Sequence, residues 1–237
     1  RRINGFSKYN SNIVPQTSAS TEKVLGVAIY KGNIIAARGE KVFKGGTTGS
    51  WTAIQTGRTN AERYSFVVYN FDNTEKIIYV DGVNNAAIFN NSSVTAVSTT
   101  NAPADPSTVA LHKNHMFFAG MSSNPQEVVF SAPFSETDFS AANGAGSIKV
   151  DSAVVQLVTF RNSLYIFCED QIHQLTGTSI ADFQLQPVTR RIGCVSQHSI
   201  QELGGDIIYL APDGLRTLAG TARIGDVELG TVSKQIQ

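Results

Sequence analysis

The chain has 237 residues, of which 41% are hydrophobic, and its 19 basic and 19 acidic side chains give a formal net charge of zero. This length suits one large all-β domain or two small ones. The balanced charge argues against a dedicated nucleic-acid binder, which carries a basic excess. No apolar run reaches the roughly 18 residues that a membrane span needs. The chain opens on Arg1-Arg2 without an initiator Met or an apolar leader, so we expect a processed or excised piece of a longer protein.

One pattern occurs five times: a polar turn, an apolar strand, a break at Gly or Asp, and a second strand. The apolar anchors of the five copies lie 43, 39, 48 and 43 residues apart. A period in this range, with several strands per unit, is typical of a β-propeller in which each unit forms one blade. The anchor pairs are Ile34-Ile35, Ile77-Ile78, Met116-Phe117, Leu164-Tyr165 and Ile207-Ile208.

We therefore predict an all-β fold, a single β-propeller domain over residues 1–237 with five four-stranded antiparallel blades. An N-terminal segment, 1–22, precedes the blades, and we expect residues 2–14 of it to pack along the first or last blade, because propellers hide an open sheet edge by joining their termini. The predicted blade units are 23–57, 63–99, 107–140, 154–188 and 198–232.

The first two units each show four short strands joined by turns, as expected of a meander. The region 90–106, rich in Ser, Thr, Asn and Ala, is interpreted as a weak outer strand followed by a surface loop. The predicted strands of these units are 24–30, 34–37, 41–44 and 51–54, then 64–71, 77–80, 86–89 and 94–97.

The third unit has three clear strands and a degenerate fourth, which we place near Thr137-Asp138-Phe139. Residues 141–146 follow it and are interpreted as a small flexible insertion, which explains the long spacing of 48 residues. The last two units are the most regular. The predicted strands of units three to five are 108–111, 116–119 and 127–131, then 154–160, 164–168, 172–175 and 181–188, then 199–203, 206–210, 215–220 and 227–229.

The histidines give no clear metal site. His112 and His115 flank one tight turn, and two histidines need a third ligand to hold zinc, but no Cys, Asp or Glu cluster lies beside them. We therefore interpret both as solvated turn residues. His173 occupies an outward position of its strand and is expected at the surface. Cys168 and Cys194 lack a metal-binding spacing and are predicted to be buried, reduced thiols.

The acidic residues also have a conformational explanation. Glu169-Asp170 and Asp213 occupy the turn between the second and third strands of their units, where Asp is favoured by hydrogen bonds to the backbone. A glycosidase with paired carboxylates is the enzymatic alternative. Trp51, the only tryptophan, either packs between blades or stacks on a sugar ring, and we favour packing.

Known functional signatures are absent from the sequence. No unit has the Gly-His and Trp-Asp pair of WD repeats, and there is no nucleophile elbow and no P-loop. We therefore predict no catalytic residue, no cofactor-binding residue, no metal site and no enzymatic activity. No blade brings a nucleophile, a base and an orienting partner together.

The second half of the chain, from His115 to Gln237, resembles the propeller proteins of short-tailed bacteriophage tails, the tail nozzle or packaged-DNA stabilisation proteins. The motifs that carry the resemblance follow one another in the same order and blade register. They are Met116-Phe117-Phe118-Ala119-Gly120, Asn124-Pro125-Gln126-Glu127-Val128-Val129-Phe130-Ser131, Glu136-Thr137-Asp138-Phe139, Leu164-Tyr165-Ile166-Phe167, Ile172-His173-Gln174-Leu175-Thr176-Gly177, Ala181-Asp182-Phe183-Gln184-Leu185-Gln186-Pro187-Val188, Ile192-Gly193-Cys194-Val195, Gly204-Gly205-Asp206-Ile207-Ile208-Tyr209-Leu210, Asp213-Gly214-Leu215-Arg216 and Val232-Ser233-Lys234-Gln235-Ile236.

This resemblance implies a structural virion protein of the phage tail, assembled in the host cytoplasm, that forms or gates the DNA passage. It implies a homo-oligomeric ring, commonly six-fold, that contacts other tail and adaptor proteins. Double-stranded DNA would pass without specific recognition, and no catalytic residues are implied. The alternative function is that of a carbohydrate-binding or glycan-cleaving propeller, since one fold hosts many functions.

Overall fold

The computed structural model describes residues 10–16 and 22–219. Within them the chain forms nineteen β-strands, arranged in five separate antiparallel sheets, and two short 3-10 helices. Each sheet uses strands that are consecutive in sequence, so each is a meander. The predicted β-propeller architecture is confirmed, and the sheets are called blades 1 to 5 below. Among the described residues, no helix has the length and apolar character needed to cross a membrane.

Blades 1 and 2 are complete four-stranded sheets. Their strands are β1 Val24–Tyr30, β2 Asn33–Arg38, β3 Lys41–Gly45 and β4 Thr52–Gln55, then β5 Ser65–Asn70, β6 Glu75–Val80, β7 Ala87–Phe89 and β8 Val94–Ala96.

Blades 3 and 4 are also four-stranded, and blade 5 has three strands within the described residues. The strands are β9 Thr108–His112, β10 His115–Ala119, β11 Glu127–Phe130 and β12 Gly146–Lys149, then β13 Val154–Phe160, β14 Ser163–Cys168, β15 Ile172–Thr176 and β16 Gln184–Thr189, and finally β17 Gln201–Leu203, β18 Asp206–Ala211 and β19 Gly214–Thr217.

All five anchor pairs lie in the second strand of their blade, as predicted. In each of these strands alternate side chains point to opposite neighbours. Ile77 belongs to the core shared with blade 1, whereas Ile78 belongs to the core shared with blade 3. The second strand is therefore apolar on both faces because a blade covers each of them.

The prediction for the last strand of blade 3 is wrong. The fourth strand is β12, Gly146–Lys149, which pairs with β11, and the blade therefore extends beyond residue 140. Residues 137–139 instead lie in an irregular stretch where Ser135 Oγ accepts the backbone N–H of Asp138 at 3.1 Å. The expected insertion contains the 3-10 helix Ala141–Asn143. An outermost strand carries few apolar residues, so its position is weakly marked in the sequence.

The predicted fourth strand of blade 5, residues 227–229, lies outside the described residues, as do residues 1–9 of the N-terminal segment. The part that is described follows the prediction by packing on blade 1. Asn10 Nδ2 donates to Gly46 O at 2.8 Å, and Trp51 Nε1 donates to Asn12 O at 3.0 Å. Arg38 donates to the carbonyl of Val14.

The turn between the first and second strands contains a left-handed residue in every blade. This conformation costs a side-chain-bearing residue energy, and glycine adopts it most easily. Only blade 5 begins this turn with glycine, and the others place basic residues or asparagine there. The residues and their φ angles are Lys31 (48°), Asn73 (62°), Lys113 (53°), Arg161 (54°) and Gly204 (62°).

Polar bonds join each blade to the next near these turns. Lys44 Nζ donates to Asn91 Oδ1 of blade 2 at 2.7 Å, and Lys76 of blade 2 pairs with Glu136 of blade 3 at 2.8 Å. The remaining two bonds link blades 3 to 4 and 4 to 5; they are Lys113 to Asn162, and Arg161 Nη2 to Gly205 O at 2.7 Å. Successive blades are thus held by apolar cores and by polar contacts at their rim.

Candidate functional sites at the blade junctions

The first strands of blades 1 to 4 lie next to one another, because β1 approaches β5, β5 approaches β9, and β9 approaches β13. A cleft of about 330 Å³ opens where three of these strands converge. It is mostly apolar, and Gln156 Oε1 is buried there without a hydrogen-bond partner among the described residues. The lining residues are 65–67, 109–111 and 156–159. No charged side chain lines this cleft, which gives acid–base chemistry no starting point there.

The junction of blades 1 and 2 holds a buried ion pair that the sequence did not reveal. Arg58 and Asp81 are 6% and 5% exposed, and Arg58 Nη2 lies 2.6 Å from Asp81 Oδ2. Arg58 Nε also donates to Tyr64 Oη at 3.1 Å. The guanidinium lies 5.6 Å from the ring centre of Tyr64 and 5.4 Å from that of Tyr79, a favourable cation–π geometry.

Every other polar atom of this junction also finds a partner. Arg58 Nη1 donates to Gln55 Oε1 at 3.2 Å. Asp81 Oδ1 accepts the backbone N–H groups of Val83 and Asn84 at 3.1 and 2.8 Å. Burial of a charged pair is costly unless its remaining hydrogen bonds are satisfied, and here they are. We call this group of residues the Arg58–Asp81 network.

The electrostatics of the network agree with a permanently charged pair. Burial raises the pKa of Tyr64 to about 12, although Arg58 opposes the shift. Burial alone would lower the pKa of Arg58, but Tyr64 and Asp81 outweigh it and raise that pKa above 12.5. No group of the network changes charge near neutral pH, so its function is structural.

The interpretation of His112 and His115 as solvated residues is wrong. Each is only 1% exposed. They are paired directly across the hairpin between β9 and β10, so both side chains lie on the same face of blade 3. That face is covered by blade 4, whose Phe183 ring centre lies 5.5 Å from the ring centre of His115. The turn between them is exposed, but the two imidazoles are not.

The two histidines share one hydrogen-bonding arrangement. His115 Nδ1 lies 2.6 Å from the carbonyl oxygen of Ser131. A carbonyl only accepts, so Nδ1 carries the proton and Nε2 bears the lone pair. The backbone of Gly177 supplies a hydrogen bond to His112. The Nε2 atoms of both rings are buried and lack a partner among the described residues.

A short loop of blade 4, residues 177–183, covers this histidine pair. Asp182 organises the loop by accepting the backbone N–H groups of Thr178 and Ser179 at 2.9 and 2.7 Å. These hydrogen bonds lower the pKa of Asp182 to about 2. Gly177 has a φ of 108°, and a Cβ there would lie 2.5 Å from Asp182 O, so the loop requires glycine at this position.

Burial and a nearby positive charge keep His112 neutral. Burial lowers the pKa of His112 to about 4, and Lys113 contributes in the same direction. The aromatic rings of Phe117 and Phe130 complete the surroundings, with ring centres 6.3 and 5.7 Å from that of His115. The pair is thus a dry site with two unprotonated, unpartnered nitrogen atoms.

His173 is also buried, contrary to prediction, and is 7% exposed. Both of its ring nitrogens lack a partner among the described residues, and burial lowers its pKa. It lies in β15 opposite Ile166 and Pro187. The strand pattern predicted an outward side chain, but the neighbouring strands and loops of blade 4 cover it.

The acidic turn residues occupy the predicted turns. Glu169 and Asp170 connect β14 to β15, and Asp213 lies between β18 and β19. Asp213 binds the guanidinium of Arg216, whose Nε lies 2.8 Å from Oδ1, so this carboxylate serves a side chain as well as the turn. Within the described part of the chain, no group of three or more His, Cys, Asp or Glu side chains has the geometry to hold a metal ion.

The cysteines and the tryptophan have structural environments. Cys168 and Cys194 are buried free thiols, as predicted. Trp51 packs within blade 1 rather than between blades. A Cβ on Gly45 would lie 2.5 Å from its ring, which explains the glycine there, and its indole N–H binds the N-terminal segment at Asn12.

A groove on the outer part of blade 3, about 470 Å³ in volume, is the feature that best fits the carbohydrate alternative. It is lined by aromatic, amide and small side chains, among them Phe130, Phe139 and Asn124. Glu127 is its only carboxylate. Glycosidases generally use a pair of carboxylates, so this groove offers a binding surface rather than hydrolytic chemistry.

No family model and no curated protein matches this chain. Solved structures do match. The computationally designed protein Ika8 superposes with a TM-score of 0.55 and 10% identity, over 85% of this chain and 60% of that chain. The extracellular domain of the putative one-component system BT4673 from B. thetaiotaomicron has a TM-score of 0.55 and 11% identity, over 85% of this chain and 33% of that chain.

The CNH domain of AfRom2 also superposes, with a TM-score of 0.55 and 7% identity, over 87% of this chain and 71% of that domain. The chain is a β-propeller. It spans less than two thirds of the length of the first two matching structures. At these identities the similarity concerns the fold alone, and the matching proteins have varied functions.

Proposed function

We propose that the chain is a structural component of a bacteriophage tail, a nozzle propeller that forms or gates the passage of DNA and acts in a homo-oligomeric ring. The resemblance of the second half of the sequence to tail nozzle proteins is the starting point. The observation that carries the proposal further is that apolar side chains are left uncovered on the two end blades.

On blade 1, Val27 and Ile29 are 58% and 75% exposed, and on blade 5, Leu203 and Leu215 are 65% and 40% exposed. Leu203 immediately precedes the first turn of its blade, and the same position in blade 4 is Phe160, which is buried against blade 5. The repeat therefore presents at Leu203 a surface of the kind that packs against another sheet. Such surfaces suit a protein that assembles with others.

Assembly is tested with the full-length protein by negative-stain microscopy and sedimentation. We expect a ring that is weakened by the double substitution Val27→Asp and Leu203→Asp. Ile180→Asp is the matched control, because Ile180 is 54% exposed but lies in a loop of blade 4. A monomer, or equal effects of the control and the double variant, would contradict the proposal.

The DNA side of the proposal predicts a weak grip. A conduit must let DNA slide, and each neutralised phosphate adds affinity and salt dependence. The chain has 19 basic and 19 acidic residues, so we expect a Kd no tighter than about 10⁻⁵ M near physiological salt, within the usual non-specific range. A fluorescence titration that finds sub-micromolar binding would overturn the conduit function.

The carbohydrate alternative is tested in the same preparation. It is favoured by the groove that contains Phe139 and Glu127. Binding of glycans by a monomer, lost on Phe139→Ala, would replace the tail function with this one. We expect no turnover of glycans or nucleic acids. Turnover that disappears on Asp213→Asn or Glu169→Gln would establish an enzyme instead.

A further inference from the structure

Two buried histidines with unused lone pairs form the most unusual polar site of the described chain. The Nε2 atoms of His112 and His115 have no partner, although buried nitrogen acceptors are normally hydrogen-bonded and cost about 1–3 kcal/mol when they are not. Both rings lie on one face of blade 3, on directly paired residues. Two equivalent unpartnered atoms side by side indicate a missing ligand that accepts two lone pairs.

The second ring nitrogens already have the arrangement found around bound metals. A metal-binding histidine usually donates its other N–H to a backbone carbonyl or a carboxylate, which fixes the ring and its tautomer. His115 Nδ1 donates to Ser131 O at 2.6 Å, and the backbone of Gly177 hydrogen-bonds His112. The rings are therefore held with both Nε2 lone pairs available.

The surroundings decide which metal ion fits. The described chain has no metal-binding group of three or more His, Cys, Asp or Glu side chains at this place, so the four ligands that zinc takes are absent. Calcium and magnesium need oxygen ligands. A divalent charge without an anion in a buried site is also strongly disfavoured. A monovalent ion that accepts two nitrogen ligands meets none of these objections, and the nearby Phe rings tolerate a cation.

We propose that His112 and His115 form a two-histidine site for a monovalent d¹⁰ metal ion, of the class of Cu(I) and Ag(I), beneath the loop 177–183 of blade 4. The ion binds between blade 3, which supplies both imidazoles, and blade 4, which supplies the cover. Access requires the loop to open, and Asp182 holds that loop through exposed hydrogen bonds. Binding would tie the loop and the two blades together.

The test titrates the protein with silver nitrate in chloride-free buffer and follows the histidine ring nitrogens by NMR. We expect the Nε2 signals of His112 and His115 to move together and to saturate at one equivalent. His173 and His198 are internal controls that should not move. Silver bound only by Cys168 or Cys194 leaves all the ring signals unchanged, so uptake by thiols cannot be mistaken for the site. Refolding in the presence of silver separates slow access from lack of binding.

A matched pair of variants completes the test. His115→Asn retains an amide that can donate to Ser131 O but removes Nε2, so the response of His112 should be lost while the fold persists. His173→Asn makes the same change at a solitary buried histidine and should leave the response intact. If His115→Asn does not fold, His112→Asn replaces it. Unchanged ring signals after refolding with silver, or a water molecule bridging the two rings in a crystal of the silver-treated protein, would overturn the proposal.

Discussion

The junction of blades 1 and 2 and that of blades 3 and 4 both bury polar side chains, but in opposite ways. At the first junction, Arg58 and Asp81 satisfy each other and every remaining bond goes to a neighbour. At the second, His112 and His115 each leave one nitrogen unpartnered. A satisfied polar network contributes to stability and fixes the packing, whereas an unsatisfied one reduces stability unless something binds to it.

The largest effect is expected at the satisfied junction. Arg58→Met leaves Asp81 as a buried charge without its partner, which typically costs about 3–5 kcal/mol. Chemical denaturation should show this loss, with Arg190→Met, at an exposed position, as the control. In the double variant Arg58→Met and Asp81→Leu, much of the loss should be recovered. A loss under about 1 kcal/mol in the single variant would show that the network does not join the blades.

The apolar part of the second junction gives the next effect. Leu164 is fully buried in the core shared by blades 3 and 4, so Leu164→Ala should lower the free energy of unfolding by about 2–5 kcal/mol. Leu203→Ala is the control, because Leu203 is 65% exposed and its truncation should cost less than about 0.5 kcal/mol. Equal effects at the two sites would mean that the strand is misplaced.

A smaller, pH-dependent effect is expected at His173. Its pKa in the folded protein is lowered by burial from the ordinary 6.5. The stability linked to its neutral form is therefore fully present above about pH 6.5 and is lost as the pH falls toward the folded pKa. His173→Leu should flatten the stability profile on the acid side of pH 6.5 without lowering stability at pH 8, where replacing an unpartnered polar ring is close to neutral. An unaltered acid limb in the variant would exclude this histidine as its source.

The smallest effect is local and concerns the cover of the histidine pair. Asp182→Ala removes the acceptor for the amides of Thr178 and Ser179, so hydrogen exchange of these two amides should become faster while the global stability changes little. In the native protein the same protection should persist down to a low pH and disappear as the pH falls from 3.8 through about 2, the folded pKa of Asp182. Unchanged exchange rates would show that the loop is held by other contacts.

Comparison of the repeats shows where sequence reasoning stopped short. Tyr30, His112 and Phe160 all immediately precede the first turn of their blade, and all three are buried against the next blade. Aligning the repeats at this position would have predicted the burial of His112. No such signal exists for Arg58, which lies in a polar connection between blades, or for Asp81, whose turn position suggested exposure.

The sequence alone determined the number of blades, the meander within each of them and the second strand as the buried centre. These features depend on local alternation and on turn residues, which the chain displays directly. The tertiary structure decided the fourth strand of blade 3, Gly146–Lys149, because an outer strand pairs on one side only and is weakly patterned. It also decided which polar side chains are buried, since the burial of Arg58, Asp81, His112 and His115 depends on the blade that covers them, and that neighbour is distant in the sequence.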